Sequence, residues 1–265
     1  MNETLPGLDE DELGNQIQEI GRRAVSRLAV LTGAGISTAS GLPDFRGPHG
    51  VWTYDPAREQ DTHRKRYAAD PSVRARLWRD LAASGMADAR PGAAHRALAR
   101  LRASIATQNV DGLHQAAGSP VDQVHELHGN LSMARRTQCR RPAPMVDALR
   151  AVRAGVGEPP CPACRTGRLR PDAVLFGEHP NRDVHGRAAN AVRAAGLLLV
   201  IGTSLRVRPA ADLCTAAIEC GVGLVIVNAE PTPYDDVASV VLRGDVEVVV
   251  PQLVTALVAG GTPTR

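Results

Sequence analysis

The segment from Val124 to Asn130 carries two histidines, His125 and His128, three positions apart. The H-E-x-x-H arrangement of zinc proteases needs one more residue between the histidines, so this spacing excludes that metal pair. A single histidine is most often a hydrogen-bonded structural residue. His128, followed by glycine and asparagine, is also suited to act as a general base, because the unperturbed imidazole pKa lies near neutrality.

A glycine turn follows the first β-rich run of the chain, Arg27–Leu31. Gly33 and Gly35, one residue apart, would let the backbone approach a pyrophosphate and direct amide groups toward it. Thr38 stands where the third glycine of the dehydrogenase fingerprint would fall, so a dehydrogenase is the least favoured interpretation. A tight structural turn is as compatible with the two glycines as a nucleotide site.

An acid, an aromatic and an arginine come directly after this turn, as Asp44, Phe45 and Arg46, with glycines on both sides. A loop of this kind could close over a bound dinucleotide. The alternative interpretation is a surface loop with an anchoring phenylalanine and a local Asp/Arg pair.

Later β-rich runs also end in small or polar residues. Ser104–Gln108 ends at Gln108 and is followed by Asn109 and Asp111. The residues that follow the runs Leu197–Ile201 and Leu224–Val227 are Gly202, Thr203, Ser204, Asn228 and Glu230. Because the carboxyl ends of parallel strands face the ligand crevice of a doubly wound sheet, we expect these residues to converge on one cleft with His128.

Strand-like and helix-like patterns alternate along the chain. Apolar residues spaced by four, three and four positions from Leu13 to Ala24 predict an amphipathic helix, and helical patterns also cover Arg187–Ala195, Ala210–Cys220 and Leu253–Val258. Strands alternating with helices predict an α/β fold built on a doubly wound, parallel, Rossmann-like sheet.

Two stretches break this alternation. Residues 48–95, rich in arginine, alanine and aspartate, predict a helical insert, and residues 131–173 predict a smaller inserted module that contains a cysteine cluster. The remaining assignments are residues 1–47, 96–130 and 174–260 to the Rossmann-like domain and residues 261–265 to a polar tail.

Composition excludes several classes of protein. A net charge of +3, from 31 basic and 28 acidic residues, does not mark a nucleic-acid-binding surface, and seven aromatic side chains offer few stacking platforms. The apolar runs are shorter than the roughly 20 residues of a membrane span, and the first fifteen residues do not resemble a signal peptide. We expect a cytoplasmic protein that binds neither membranes nor nucleic acid directly.

Three of the five cysteines, Cys139, Cys161 and Cys164, lie close together in sequence. An odd number of cysteines in a chain without an export signal does not predict a disulfide framework. The C-x-x-C pair formed by Cys161 and Cys164 has the spacing of a zinc knuckle.

Taken together, the motifs have the order and spacing of the sirtuins, which the chain resembles from about Arg27 to Val250. They read GAGISTASGLPDFRG, TQNVDGLH, HELHGN, C-x-x-C, VLFGE, GTSLRVRP and VNAEPT. The resemblance implies an NAD-dependent protein-lysine deacetylase, or more broadly a deacylase, that releases nicotinamide and O-acyl-ADP-ribose.

The resemblance also implies roles for individual residues. His128 would be the general base, and Asn109 and Asp111 would position the ribose and the nicotinamide carboxamide. The NAD-binding residues would be Gly33, Ala34, Gly35, Ile36, Asp44, Phe45, Arg46, Gln108, Asn109, Asp111, Gly202, Thr203, Ser204, Asn228, Glu230 and Val246. The acyl-lysine peptide would form an added strand between Val174, Phe176, Gly177 and Glu178 on one side and Leu205 and Val207 on the other.

The cysteine module departs from the sirtuin pattern of two cysteine pairs. Pro142 stands where the partner of Cys139 should be, so only three thiolates remain for a metal that takes four ligands in structural sites. We therefore expect a degenerate zinc-ribbon module that binds zinc weakly or not at all.

Other functions are compatible with the same motifs. The site would also serve a mono-ADP-ribosyltransferase or a deacylase for long acyl chains. A non-catalytic NAD or ADP-ribose sensor is less favoured, because a sensor has no need of a base such as His128. Before His95 there is no Tyr-x-x-Arg of the branch that removes acidic acyl groups, which argues against succinyl and malonyl substrates.

Overall fold

A computed structural model describes residues 10–22, 27–136, 142–162, 164 and 167–264. The strands in chain order are β1 (Leu28–Thr32), β2 (Ala103–Thr107), β3 (Val124–Glu126), β4 (Gly129–Arg136), β5 (Pro142–Pro144), β6 (Leu169–Ala173), β7 (Leu197–Ile201), β8 (Gly223–Val227) and β9 (Val240–Leu242). Six of them form a parallel sheet of order β3-β2-β1-β7-β8-β9, and β5-β4-β6 form a separate antiparallel sheet. The predicted α/β class with a parallel Rossmann-like sheet is confirmed.

Helices connect these strands and cover both faces of the parallel sheet. They are α1 (Glu10–Arg22), α2 (Val51–Tyr54), α3 (Ala57–Asp61), α4 (Arg64–Ala69), α5 (Pro71–Ala83), α6 (Ala93–Leu98), α7 (Leu113–Ala116), α8 (Met145–Arg153), α9 (Arg182–Arg193), α10 (Asp212–Glu219) and α11 (Val246–Ala259). Short 3₁₀ helices cover Ala34–Ser40, Val121–Gln123 and Asp235–Val237.

Caps decide where two of the helices begin. The side chain of Asn181 accepts hydrogen bonds from the backbone of Asp183 and Val184, so α9 begins five residues before the start that the apolar pattern predicts. Asp245 caps α11 in the same way, which adds residues to that helix ahead of the predicted stretch.

The core of the sheet explains its continuous apolar runs. Every residue of β1 and β7 is buried, because helices α1, α6 and α11 pack on one face and α9 and α10 on the other. A strand covered on both faces has no polar side, so its sequence reads as an unbroken apolar run.

The two inserts share a third core. Trp78 of α5 is fully buried against residues of the antiparallel sheet and of α8, including Leu131 and Leu149. Packing thus joins the helical insert to the cysteine module, and the domain boundaries given above remain predictions. Across the part of the chain that the structure describes, no helix combines the length and the apolar character needed to span a membrane.

Candidate active site

The candidate site lies where the strand order reverses, between β1 and β7. The chain builds outward from β1 to β3 and then returns to the other side of β1 with β7, which opens a crevice at the strands' carboxyl ends. The turns after these two strands are bonded to each other. Gly33 N–H donates to the Ile201 carbonyl over 3.1 Å, and Gly35 N–H donates to the Gly202 carbonyl over 2.9 Å.

Close packing of these two turns accounts for their glycines. A Cβ atom on Gly33 would lie 2.6 Å from Cβ of Thr203, and a Cβ on Gly35 would lie 2.9 Å from Cα of Gly202. Gly202 also has a φ of +59°, in the left-handed region. Ile36 is fully buried in the core, and its N–H donates to the Gly33 carbonyl over 3.2 Å, so the predicted NAD contact at Ile36 is not exposed in this structure.

Ser37 joins two of the predicted site residues. Its hydroxyl donates to Asp111 Oδ2 over 2.7 Å and accepts from Asn109 Nδ2 over 3.0 Å. The other carboxylate oxygen of Asp111 accepts the Leu113 N–H at the start of α7. Ser37 is absent from the residues implied by the motifs, although it stands inside the glycine turn, and its role follows from contacts across more than 70 residues.

Gln108 connects three strand ends. Its N–H donates to the Thr32 carbonyl at the end of β1, and its side-chain amide donates to Thr203 Oγ1 over 2.8 Å, beyond β7. Its carbonyl oxygen lies 3.1 Å from His128 Nδ1. The structure therefore brings the predicted residues of β1, β2, β3 and β7 into one cluster.

The contact with Gln108 fixes the tautomer of His128. A carbonyl can only accept, so Nδ1 carries the proton and Nε2 of the neutral ring keeps a lone pair. Burial lowers the pKa of His128, the Gln108 hydrogen bond raises it, and the charge of His185 lowers it further, with a net decrease. A neutral imidazole with a basic Nε2 at pH 7 is the state that a general base requires.

The loop after the glycine turn is held by aromatic and charged contacts. Asp44 accepts the Gly47 N–H over 3.2 Å, and Arg46 pairs with Glu59 over 2.7 Å rather than with Asp44. The Arg46 guanidinium also lies 4.5 Å from the centroid of the Trp52 ring, and Phe45 contacts the same ring while remaining 44% exposed. The alternative of a local Asp/Arg pair is wrong.

The segment predicted to hold a peptide is bonded to this loop region. Phe176 N–H donates to the Thr62 carbonyl over 3.0 Å, and the Phe176 carbonyl accepts from Arg64 N–H over 2.9 Å. Both backbone groups of Phe176 are thus occupied, as is the N–H of Val174, which donates to the His128 carbonyl. Any strand pairing with a peptide must therefore use other backbone groups, such as those of the exposed Gly177.

The far end of the crevice is built from the turn after β8. Asn228 Nδ2 donates to the Glu230 carbonyl over 2.7 Å, and the guanidinium of Arg243 donates to the carbonyls of both residues over 2.9 and 3.0 Å. Arg243 also pairs with Asp235. The remaining predicted residues of this side are Ala34, at the start of the 3₁₀ helix, half-buried Ser204 and Val207, buried Leu205, and Val246 at the start of α11.

Two of the three cysteines predicted as zinc ligands, Cys161 and Cys164, lie in the described part of the cysteine module. Cys164 N–H lies 3.5 Å from Cys161 Sγ, and Cys139 is outside the described residues. Among the residues that the structure describes, no three histidine, cysteine, aspartate or glutamate side chains are grouped to hold a metal ion. This part of the module does not provide a four-ligand zinc site, and weak zinc binding stays a prediction.

Glu178, another residue predicted to contact the peptide, has its side-chain partners within the protein. Glu178 forms a bidentate ion pair with Arg170, at 2.7 and 2.9 Å, and its carboxylate also accepts the Leu175 N–H. Glu178 therefore supports the peptide segment through its side chain, because both carboxylate oxygens already have donors.

Comparison with known proteins places the chain in a family. The sequence profile of the Sir2 family matches residues 33–209. NAD-dependent protein deacetylase 2 of Streptomyces coelicolor is 44% identical over 235 residues, which cover 87% of this chain and 97% of the relative. NAD-dependent protein deacylase of Thermus thermophilus is 42% identical over 227 residues, which cover 82% and 85%.

Solved Sir2 structures have the same architecture. Sir2 bound to an acetylated peptide matches with a TM-score of 0.77 and 30% identity over 94% of this chain and 99% of that chain. A Sir2 variant with deacetylated p53 peptide and 3′-O-acetyl ADP-ribose matches with a TM-score of 0.82 and 31% identity over 94% and 98%. Fold, motifs and identity agree, and the chain belongs to the Sir2 family, the sirtuins.

Proposed function

We propose that the protein is an NAD-dependent protein-lysine deacetylase. The observation that carries this proposal is His128, a half-buried neutral imidazole whose Nδ1 proton is held by Gln108 beside the Asn109–Ser37–Asp111 cluster. Relatives at up to 44% identity are named NAD-dependent protein deacetylases, and similar Sir2 structures hold acetylated peptide.

The crevice residues fit a dinucleotide. The packed glycine turns bring backbone of both strand ends to the switch point, and the polar cluster of Ser37, Asn109 and Asp111 lies at one end. Asn228 and Glu230 lie on the turn at the opposite side of β7 and would hold the adenosine. When bound, NAD supplies the ribose carbon that nicotinamide leaves and that the acyl oxygen joins.

His128 would move one proton in this reaction. Its Nε2 would accept a proton from a ribose hydroxyl, which would make that oxygen able to attack the acyl carbon. Proton uptake at Nε2 places a positive charge on the ring, and the Gln108 carbonyl on Nδ1 stabilises that charge. Burial keeps the ring uncharged until then.

Asn109 and Asp111 would orient the reacting groups. Ser37 fixes both side chains at 2.7 and 3.0 Å, so neither has to be ordered when substrate binds. Pre-ordering of this kind reduces the entropy lost on reaching the reactive geometry.

The test uses the intact protein, NAD and an acetyl-lysine peptide, with products identified by mass spectrometry. The proposal expects nicotinamide, free lysine peptide and O-acetyl-ADP-ribose in equal amounts. ADP-ribose attached to protein would instead show the mono-ADP-ribosyltransferase, and NAD binding without nicotinamide release would show the sensor. Either result would refute the deacetylase.

A second candidate, removal of long acyl chains, is favoured by one observation. An open pocket of about 480 Å³ borders Asp111 and has a mostly apolar wall. The apolar side chains of this wall are Leu81, Met86, Ala87, Leu131, Met145, Val146 and Leu149. Among the described residues that line the pocket there is no arginine, lysine or histidine and Asp111 alone is charged, so a carboxylate-bearing acyl group would be repelled there.

Acyl preference can be measured with matched peptides. We expect acetyl-lysine to be turned over in preference to succinyl-lysine, and a kcat/KM for myristoyl-lysine at or above that for acetyl-lysine would establish the long-chain activity. Val146→Glu, which places a charge at an exposed position of the pocket wall, should reduce myristoyl turnover and leave acetyl turnover unchanged. Equal turnover of acetyl- and succinyl-lysine would contradict the assignment against acidic acyl groups.

A cytoplasmic location, and the lack of membrane and nucleic-acid partners, remain predictions of the sequence.

A further inference from the structure

A line of three buried hydrogen bonds leads from α7 to the backbone of Asn109. Nε2 of His114 lies 2.9 Å from Thr32 Oγ1 on β1, and that hydroxyl donates to Thr107 Oγ1 on β2 over 2.8 Å. Thr107 Oγ1 in turn accepts the N–H of Asn109 over 3.1 Å. The line joins residues that are 75 and 82 positions apart in sequence.

The direction of these bonds follows from the donors available. Since the Thr32 hydroxyl donates to Thr107, its oxygen accepts, and His114 Nε2 carries the proton. His114 is 1% exposed, Thr32 is not exposed at all and Thr107 is 3% exposed, so none of these side chains can contact a substrate. Burial lowers the pKa of His114 to about 3, and the ring stays uncharged throughout the working pH range.

The line of hydrogen bonds ends at Asn109, which has contacts on two sides. Asn109 is held by Thr107 through its backbone and by Ser37 through its side chain, so its position is set from two directions. Loss of the Thr107 contact would leave a buried N–H without its acceptor, which favours a shift of the backbone at this point. Such a shift would carry the Asn109 amide and its neighbour Asp111 away from the crevice.

We propose that His114 is a positioning residue that acts through Thr32 and Thr107 to set the place of Asn109 in the active site. This inference rests on the proposed function, because the role of Asn109 is to orient the ribose. His114 contributes no proton to the reaction and touches neither substrate.

The test breaks the line at two points with side chains of similar size. Thr32→Val removes the central hydroxyl and keeps the shape, and His114→Leu removes the donor. Both should lower kcat about tenfold, with the KM for peptide within twofold, because misplacement of an orienting group affects the transition state more than binding. The double variant should lose no more than either single variant, since both remove the same connection.

Conservative variants separate positioning from folding. Thr32→Ser and His114→Gln keep a hydroxyl and an N–H donor at these points and should restore kcat to within about threefold of the unmodified protein. The pH midpoint of activity should be the same in all variants, because His128 and not His114 titrates. Ser104→Ala is the matched control. Ser104 lies on the face of β2 opposite Thr107, and the variant removes a hydroxyl that lies 2.9 Å from His125 Nε2.

A second readout does not depend on activity. Hydrogen exchange of the peptide containing Asn109 should accelerate in Thr32→Val and His114→Leu and not in Ser104→Ala. Unchanged kcat, or unchanged exchange at Asn109, in the first two variants would overturn the inference. An unmodified protein that releases no nicotinamide would refute the proposed function instead, and the exchange measurement would still decide whether His114 positions Asn109.

Discussion

The Nδ1 proton of His128 and the hydroxyl proton of Ser37 are each directed by one acceptor, the Gln108 carbonyl and the Asp111 carboxylate. The Gln108 carbonyl fixes the proton of His128 on Nδ1 and leaves Nε2 as the basic atom, while the Asp111 carboxylate fixes the direction in which the Ser37 hydroxyl donates. At the scale of single residues, the site is therefore specified by hydrogen-bond partners as much as by the residues that the motifs contain.

Removal of the base should separate chemistry from binding. We expect His128→Ala to abolish deacetylation while NAD affinity stays within about tenfold, because a base acts on the reaction and not on the ground state. Activity is measured by nicotinamide release and affinity by calorimetry. Near-normal turnover would show that another group takes the proton.

The same residue sets the acidic limb of the activity profile. Burial lowers the pKa of His128 from 6.5, so the neutral base predominates to a lower pH than in a free imidazole. The midpoint of the acidic limb of kcat/KM against pH, which reports the free enzyme, is therefore expected below 6.5. A midpoint at or above 6.5 would contradict the environment described here.

At the scale of elements, arginine side chains link neighbouring segments of the fold. Arg243 follows β9 and bonds to the turn after β8, while Glu158 of the cysteine module bonds to Arg74 of α5 over 2.7 Å and to Arg168 over 2.6 Å. The contact between Glu158 and Arg74 spans 84 positions and joins the cysteine module to the helical insert.

Loss of Arg243 should weaken the binding of NAD at its adenosine end and leave the catalytic step unaffected. In Arg243→Gln the carbonyls of Asn228 and Glu230 lose a charged donor, and we expect the KM for NAD to rise about tenfold with kcat unchanged. Arg193→Gln, an exposed arginine at the end of α9, is the control. An unchanged KM for NAD would show that the turn holds its shape without Arg243.

The stability of the cysteine module should depend more on its ion pairs than on a bound metal ion. Glu158 has a side-chain exposure of 13%, and Glu158→Gln should lower the free energy of unfolding by about 1–3 kcal/mol because two guanidinium groups lose their charged acceptor and one of its two oxygens. Urea unfolding measures the change, with exposed Glu219→Gln as the control.

Metal analysis of the same protein, purified without chelator, tests the zinc prediction. Less than one zinc per chain is expected after dialysis against EDTA, because the described part of the module offers no four-ligand set. One retained zinc per chain would refute the weak site and would require a fourth ligand.

At the scale of the whole molecule, the fold keeps several histidines in places where the charged form is disfavoured. Burial is the main cause of a lowered pKa at His95, His114, His125, His128 and His185. Three of these, His114, His125 and His128, lie in or beside the segments that build the crevice, and His95 packs against His114 with ring centroids 5.0 Å apart.

These histidines should make stability dependent on pH. Below about pH 6.5 the unfolded chain binds more protons than the folded chain, so stability is full above that pH and declines toward pH 3, where folded His114 titrates. One such histidine contributes a slope of about 1.4 kcal/mol per pH unit. We expect the Tm to fall between pH 7 and pH 5, and less steeply in His114→Gln. His49→Gln, at an exposed position, is the control. If the Tm changed equally with pH in His114→Gln, His49→Gln and the unmodified protein, buried His114 would not be a source of the pH dependence.

The sequence by itself determined the central strands of the parallel sheet and the family. Apolar runs at Leu28–Thr32, Leu197–Ile201 and Gly223–Val227 were identifiable to within a residue, because strands covered on both faces need continuous apolar side chains. The motifs placed glycines and polar residues at the carboxyl ends of those strands, and a doubly wound topology brings such ends together whatever lies between them.

Only the tertiary structure decided how these residues are held. Ser37 meets Asp111 across 74 positions, His114 meets Thr32 across 82, and Trp78 joins two inserts that the sequence separates. Hydrogen bonds and core contacts of this range leave no periodic pattern in a sequence. They arise from the packing of segments in three dimensions, and that packing gives His128 its tautomer and Asn109 its place.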